Sequence, residues 1–150
     1  MADVHQLVSF TLGAEEFAVD IGVVQEIVRM PEITKVPRSP AFVEGVVNLR
    51  GKIIPVVDLR KRFLLPASEA TKSTRIVIVT LGGRTVGMIV DAVSEVLRLS
   101  SEAIEATPEM VASQVQASFL KGIAKLEGRL LILPDLDRVL DEDEALSAIA

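Results

Sequence analysis

Residues 42–59 read FVEGVVNLRGKIIPVVDL, and residues 119–136 read FLKGIAKLEGRLLILPDL. Laid over one another without a gap, at an offset of 77, they share Phe, Gly, Leu, Gly, Asp and Leu in register. Basic Lys52 falls on basic Arg129, and Ile53-Ile54 fall on Leu130-Leu131. A second match lies upstream at an offset of 69. There Thr11-Leu12-Gly13 aligns with Thr80-Leu81-Gly82, and VQEIVRM at 24–30 aligns with VSEVLRL at 93–99. The two blocks keep the same order in both halves, with eight more residues between them in the second. Chance agreement in a Val/Leu-rich chain matches apolar positions, not glycines, charges and order together. The chain is therefore read as an internal duplication, two similar supersecondary units packed on each other.

Each copy opens with a hairpin signature. Residues 7–12 and 17–21 flank Gly13-Ala14-Glu15-Glu16, and residues 75–81 and 85–90 flank Gly82-Gly83-Arg84. A stretch at 23–28, repeated at 92–97, reads as a short helix or the start of a strand. Pro31, Pro37 and Pro40 make 31–40 an extended connector. A strand pair follows at 45–49 and 52–57 around Arg50-Gly51, repeated at 122–126 and 129–133. Pro55 within the second strand predicts an edge or a bulge. Asp58 is a good N-cap for one helical turn, and Asp135 repeats it. Residues 100–118 carry the insertion, read as a loop with a short helix, and 141–149 read as a terminal helix. These signals predict a mainly β fold: two small barrels side by side in a single domain of 150 residues. Subdomain 1 is placed at roughly 7–66 and subdomain 2 at roughly 74–140, with exchange of a strand or helix between them left open.

Composition narrows the function classes. Apolar residues make up 49% but aromatics only 3%, so the core must be built from Val, Ile and Leu. There is no cysteine, which rules out disulfides, thiolate metal sites and a cysteine nucleophile. The net charge of −5 argues against non-specific nucleic-acid binding. No apolar run reaches the roughly 20 residues that span a bilayer, and the N-terminus lacks a signal-peptide pattern. A cytoplasmic protein without membrane insertion is expected.

Chemistry is scarce. The single histidine, His5, offers no triad. Gly82-Gly83 lacks the lysine of a phosphate loop. Asp135, Asp137 and Asp141 lack the spacing and central Gly of a calcium loop. Glu15-Glu16 sit on a hairpin tip and read as solvated. No enzyme activity, metal or cofactor is expected. What remains is the difference between the copies. Asn48-Leu49-Arg50-Gly51 becomes Lys125-Leu126-Glu127-Gly128. The glycine persists and the arginine does not, so Arg50 is not required by the repeat. An ion pair between Arg50 and Glu26 is geometrically open if the two strand pairs adjoin.

At these residues the chain resembles the CheW-like domain family of bacterial chemotaxis coupling proteins. The resemblance runs from about Leu7 to Leu140. It is carried by GVVNLRGKIIPVVDLRKRF at 45–63, with VQEI at 24–27, PRSPAFVEG at 37–45, VGMIVDAVSEVL at 86–97 and LEGRLLIL at 126–133. It implies two five-stranded SH3-like β-barrels around a shared hydrophobic core, with short helices and a C-terminal helix. It also implies an adaptor that joins methyl-accepting chemoreceptors to the histidine kinase CheA, recruited from the cytoplasm to receptor arrays. The receptor's helical tip would dock in a groove between the subdomains, at Val24, Glu26, Gly45, Asn48 and Arg50. The kinase's regulatory domain would pack edge to edge, at Met30 and Ile33. Other readings are a regulatory segment of the kinase, a coupling protein fused to a receiver domain, or a small β-barrel ligand-binding protein.

Overall fold

The computed structural model describes residues 4–37, 43–62, 71–105, 120–126 and 128–136. Within them the Val/Ile/Leu segments form strands: β1 (Val4–Leu12), β2 (Glu15–Asp20), β3 (Val24–Arg29), β4 (Val43–Leu49), β5 (Lys52–Asp58), β6 (Arg75–Leu81), β7 (Arg84–Val90), β8 (Ala92–Ser100), β9 (Ile104–Glu105), β10 (Leu120–Leu126) and β11 (Arg129–Pro134). A single helical turn, α1 (Leu59–Arg62), follows β5, and 3-10 turns at Ile21–Val23 and Ser101–Ala103 precede β3 and β9. The expected C-terminal helix and most of the insertion lie outside the described residues.

The strands build two sheets. One has six strands in the order β8-β1-β2-β11-β10-β9, and the other has five in the order β3-β6-β7-β5-β4. The duplication is written in the registers. Leu7 faces Asp20 in β1–β2, and Ile76 faces Ile89 in β6–β7. Val43 faces Val57 and Gly45 faces Val56, while Leu120 faces Pro134 and Gly122 faces Leu133, with a bulge at the same place in both ladders. The first hairpin of each copy crosses over, β6–β7 inserting between β3 and β5, and β1–β2 between β8 and β11. β3 pairs with β6, and β8 pairs with β1. Each sheet therefore draws strands from both sides of residues 66–74.

The chain itself closes each sheet. After β3 it crosses to the far edge, where Thr34 exchanges backbone hydrogen bonds with Val46 on β4 (2.9 and 2.8 Å). After β8 it does the same through β9, where Glu105 faces Ile123 on β10. Both closures need a glycine beside them. A Cβ at Gly45 would stand 2.1 Å from the Thr34 carbonyl oxygen, and one at Gly122 would stand 2.4 Å from that of Glu105.

Pro55 does not mark an edge, because β5 lies between β7 and β4. The two-residue turn at Arg50-Gly51 makes Leu49 and Lys52 a hydrogen-bonded pair. By alternation Pro55, opposite Val46, falls at a non-bonded position of that ladder. The ladder to β7 starts one residue later, at Val56. The missing N–H thus breaks no bond on either side.

Burial follows the symmetry. Val47, Ile54, Val56, Ile76, Ile78 and Ile89 fill the five-stranded barrel. Leu7, Ala18, Leu99, Ala124, Leu131 and Leu133 fill the six-stranded one. Between them runs a larger cluster drawn from both copies, including Phe10, Leu12, Phe17, Val57, Leu59, Val77 and Met88. The rings of Phe10 and Phe17 stack at its centre, 6.0 Å apart. Fully burying such side chains stabilises by about 1.5–3 kcal/mol each.

Charge crosses this seam at one buried cluster. Arg60 on α1 donates to both carboxylate oxygens of Asp58 (3.1 and 3.0 Å) and to Asp91 (2.8 Å). Asp58 also caps α1 by accepting the Arg60 backbone N–H, and Asp91 accepts the Gly13 N–H from the β1–β2 turn. One guanidinium thereby ties the five-stranded barrel to a turn of the other. The hydrogen bond to Asp58 is the main cause holding the Arg60 pKa above its ordinary value, with burial opposing it.

Candidate functional site

The β4–β5 turn carries the departure from the repeat that singles out Arg50. Arg50 and Gly51 have φ of 52° and 85°, the type I′ geometry that suits a two-residue hairpin. Glycine meets this requirement without strain. Arg50 does not, and it is the single non-glycine residue at positive φ among those described. Holding an L-residue there costs roughly 1–2 kcal/mol. The Asn48 side chain steadies the turn by accepting the Gly51 N–H at 3.0 Å. An arginine kept at a position that favours glycine points to a use beyond folding.

Its guanidinium reaches across the barrel opening to Glu26, in the middle of β3, and forms an ion pair with it. The Arg50 side chain stays 71% exposed, against 26% for Glu26. Such a pair adds at most about 1 kcal/mol to stability; its stronger effect is to fix the direction of the guanidinium. Behind it opens a cavity of about 250 Å³ lined by Gln25, Glu26, Leu49, Arg50, Lys52, Ile54, Ile78 and Thr85. Its floor is apolar and its rim is charged. Ile27 and Ile53 stand exposed on the two strands that carry Glu26 and Lys52.

The nominated residues separate by role. Glu26, Asn48 and Arg50 come together at this rim. Gly45 lies at the barrel closure, where the approach of Thr34 explains it. Val24 is half-buried against the shared core. Met30 and Ile33 are half-buried on the closing connector, packed against the interior of the five-stranded barrel. The cavity is lined by that one barrel alone, so it is not a groove across the seam.

Glu16 is not the solvated carboxylate its hairpin position suggests. It accepts from Arg129 Nε at 3.0 Å and Nη2 at 2.9 Å, while Arg129 Nη1 donates to Glu95 at 2.9 Å. Hydrogen bonds to Glu16 first, then to Glu95, hold the Arg129 pKa above its ordinary value. The Asp58–Arg60–Asp91 cluster also escapes a reading of the sequence. Its one visible signal is the N-cap at Asp58. Among the described residues no three His, Cys, Asp or Glu side chains converge as metal ligands would. No helix among them is long and apolar enough to cross a membrane.

Comparison with known proteins places this geometry. The CheW-like domain matches residues 6–144. The chemotaxis protein CheW of Rhizobium meliloti (strain 1021) is 39% identical over 144 residues, covering 96% of this chain and 92% of the relative. That of Klebsiella aerogenes is 38% identical over 140 residues, covering 93% and 84%. The crystal structure of the scaffolding protein TtCheW from Thermoanaerobacter tengcongensis superposes with a TM-score of 0.84 at 40% identity, covering 93% of this chain and 88% of that one. The duplicated barrels, their shared core and these matches lead to one conclusion: the chain belongs to the CheW-like domain family.

Proposed function

We propose that this protein couples chemoreceptors to the kinase CheA through two faces of the five-stranded barrel, and carries out no reaction itself. It is a chemotaxis adaptor. The receptor's cytoplasmic tip, a helical hairpin, docks at the Arg50–Glu26 rim. An amphipathic helix would lay apolar side chains over the cavity floor, the helix-in-groove mode. The Arg50 guanidinium would donate charge-assisted hydrogen bonds to a receptor carboxylate or carbonyl, with Glu26 holding its plane. The observation that carries this reading is Arg50 itself, strained in backbone, exposed in side chain and absent from the second copy. The kinase's regulatory domain is assigned to the connector bearing Met30 and Ile33. The protein acts in the cytoplasm and is recruited to receptor arrays, where avidity multiplies weak contacts.

The test is charge reversal. Arg50→Glu should retain the circular dichroism spectrum and lose capture of a receptor-tip fragment. The double variant Glu26→Arg/Arg50→Glu should recover part of the capture. Undiminished capture by Arg50→Glu would overturn the assignment.

A further inference from the structure

The six-stranded barrel carries residues that correspond to the same rim. Under the repeat, Glu26 corresponds to Glu95, Lys52 to Arg129 and Thr85 to Glu16. The apolar walls correspond as well, Leu49 to Leu126 and Ile54 to Leu131. So do the exposed flanks, Ile27 to Val96 and Ile53 to Leu130, and all four flanking residues are exposed. The strand pairing is equivalent too. Glu26 enters its ladder through a bulge after Val24, and the β1–β8 ladder has a bulge between Val8 and Phe10, where Glu95 exchanges bonds with the Ser9 hydroxyl.

Among the differences between the faces, which include Ile78 against Ser9 and Gln25 against Ser94, two bear on the opening. In the five-stranded barrel, position 85 is a threonine. Glu26 is held from the turn by Arg50, and the space between the strands remains open. In the six-stranded barrel a carboxylate stands at position 16, and the guanidinium comes from β11 instead of the turn. Arg129 lies between Glu16 on β2 and Glu95 on β8, donating to both. It ties three strands together across the region that corresponds to the cavity. Both carboxylates are occupied by the one cation.

We infer that the Arg129–Glu16–Glu95 triad determines specificity: it closes the six-stranded barrel's counterpart of the docking rim, so that each chain accepts one helical receptor tip. The inference rests on the Arg50 rim being the docking site. Glu127, where the first copy has Arg50, contributes the wrong charge for the same task.

The test transplants the open rim. In the full chain, Glu16→Thr/Arg129→Lys/Glu127→Arg copies three of the first barrel's rim residues onto the second. A receptor-tip helical hairpin fragment is titrated calorimetrically. Wild type should bind one tip per chain, and the triple variant two. In an Arg50→Glu background, which should weaken binding at least tenfold, the triple change should restore affinity to within about tenfold of wild type. Each variant's urea midpoint is measured first. If the triple variant does not fold, Glu16→Thr/Glu127→Arg, which keeps the Arg129–Glu95 bond, is titrated in its place with the same expectation. A folded opened variant that still binds one tip, and none in the Arg50→Glu background, would overturn the lock alone. A wild type that binds no tip, or an Arg50→Glu variant that binds normally, would overturn the docking reading and the lock with it.

Discussion

Replacing Arg60 with methionine keeps the length of the side chain and deletes its charge. The Arg60 and Asp58 side chains are 6% and 4% exposed, so the change strands a carboxylate with little access to water. Removing one partner of a buried pair costs about 3–5 kcal/mol. Asp91, the second acceptor, is 25% exposed and can be rehydrated, which favours the lower end. A loss of about 3 kcal/mol is therefore expected, lowering the melting temperature by roughly 6–12 °C for a chain of this size. The companion variant Arg60→Met/Asp58→Asn/Asp91→Asn removes the stranded charges. It retains an oxygen at Asp58 to cap α1 and one at Asp91 for the Gly13 N–H, so it should recover most of the loss. Urea unfolding followed by circular dichroism measures both. A single variant within about 1 kcal/mol of wild type, below the range for a broken buried pair, would refute the claim that this cluster is desolvated. A triple variant as weak as the single would show that lost packing, not unpaired charge, sets the cost.

Two further expectations concern the turn and the closures. Arg50→Gly relieves a left-handed residue while losing an exposed ion pair. Thermal stability should hold or rise by up to about 1 kcal/mol while receptor-tip capture is lost; a clear loss of stability would contradict the strain. Gly45→Ala drives a methyl into the Thr34 carbonyl, and Gly51→Ala meets open space at its own positive φ. The first should cost about 3 kcal/mol or more in urea unfolding and the second about 1, and equal losses would refute the close approach at the closure.

The repeated segments made the hairpins, the bulged strand pairs and their registers legible, because matched glycines and aspartates fix turn positions as well as burial. They could not show which copy each strand joins. Alternating burial says which side chains point inward, and that pattern is the same whether β3 pairs with β1 or with β6. Pro55 pointed to an edge or a bulge. The ladder has a bulge one residue on, at Val56–Val57, but no edge, because the lost donor matters only in one phase of the ladder and the turn at Arg50-Gly51 sets that phase. At the site, the mismatch between Arg50 and Glu127 was visible because the flanking leucine and glycine stayed constant. Glu16 was misread because its partner is 113 positions distant and belongs to the other copy. Arg60 was missed because an arginine on one helical turn looks solvated until Asp91 is brought over it.

The crossed pairing of β3 with β6 and of β8 with β1 bears on how such a chain arose. A polypeptide holding one copy alone would leave its first strand without the neighbour it needs, and its third strand without a sheet to join. Two identical molecules would satisfy both by exchanging their first hairpins about a twofold axis. Joining the copies end to end converts that symmetric dimer into one chain. Once covalently linked, the halves no longer need to remain identical, which frees one turn to carry arginine where the other carries glutamate.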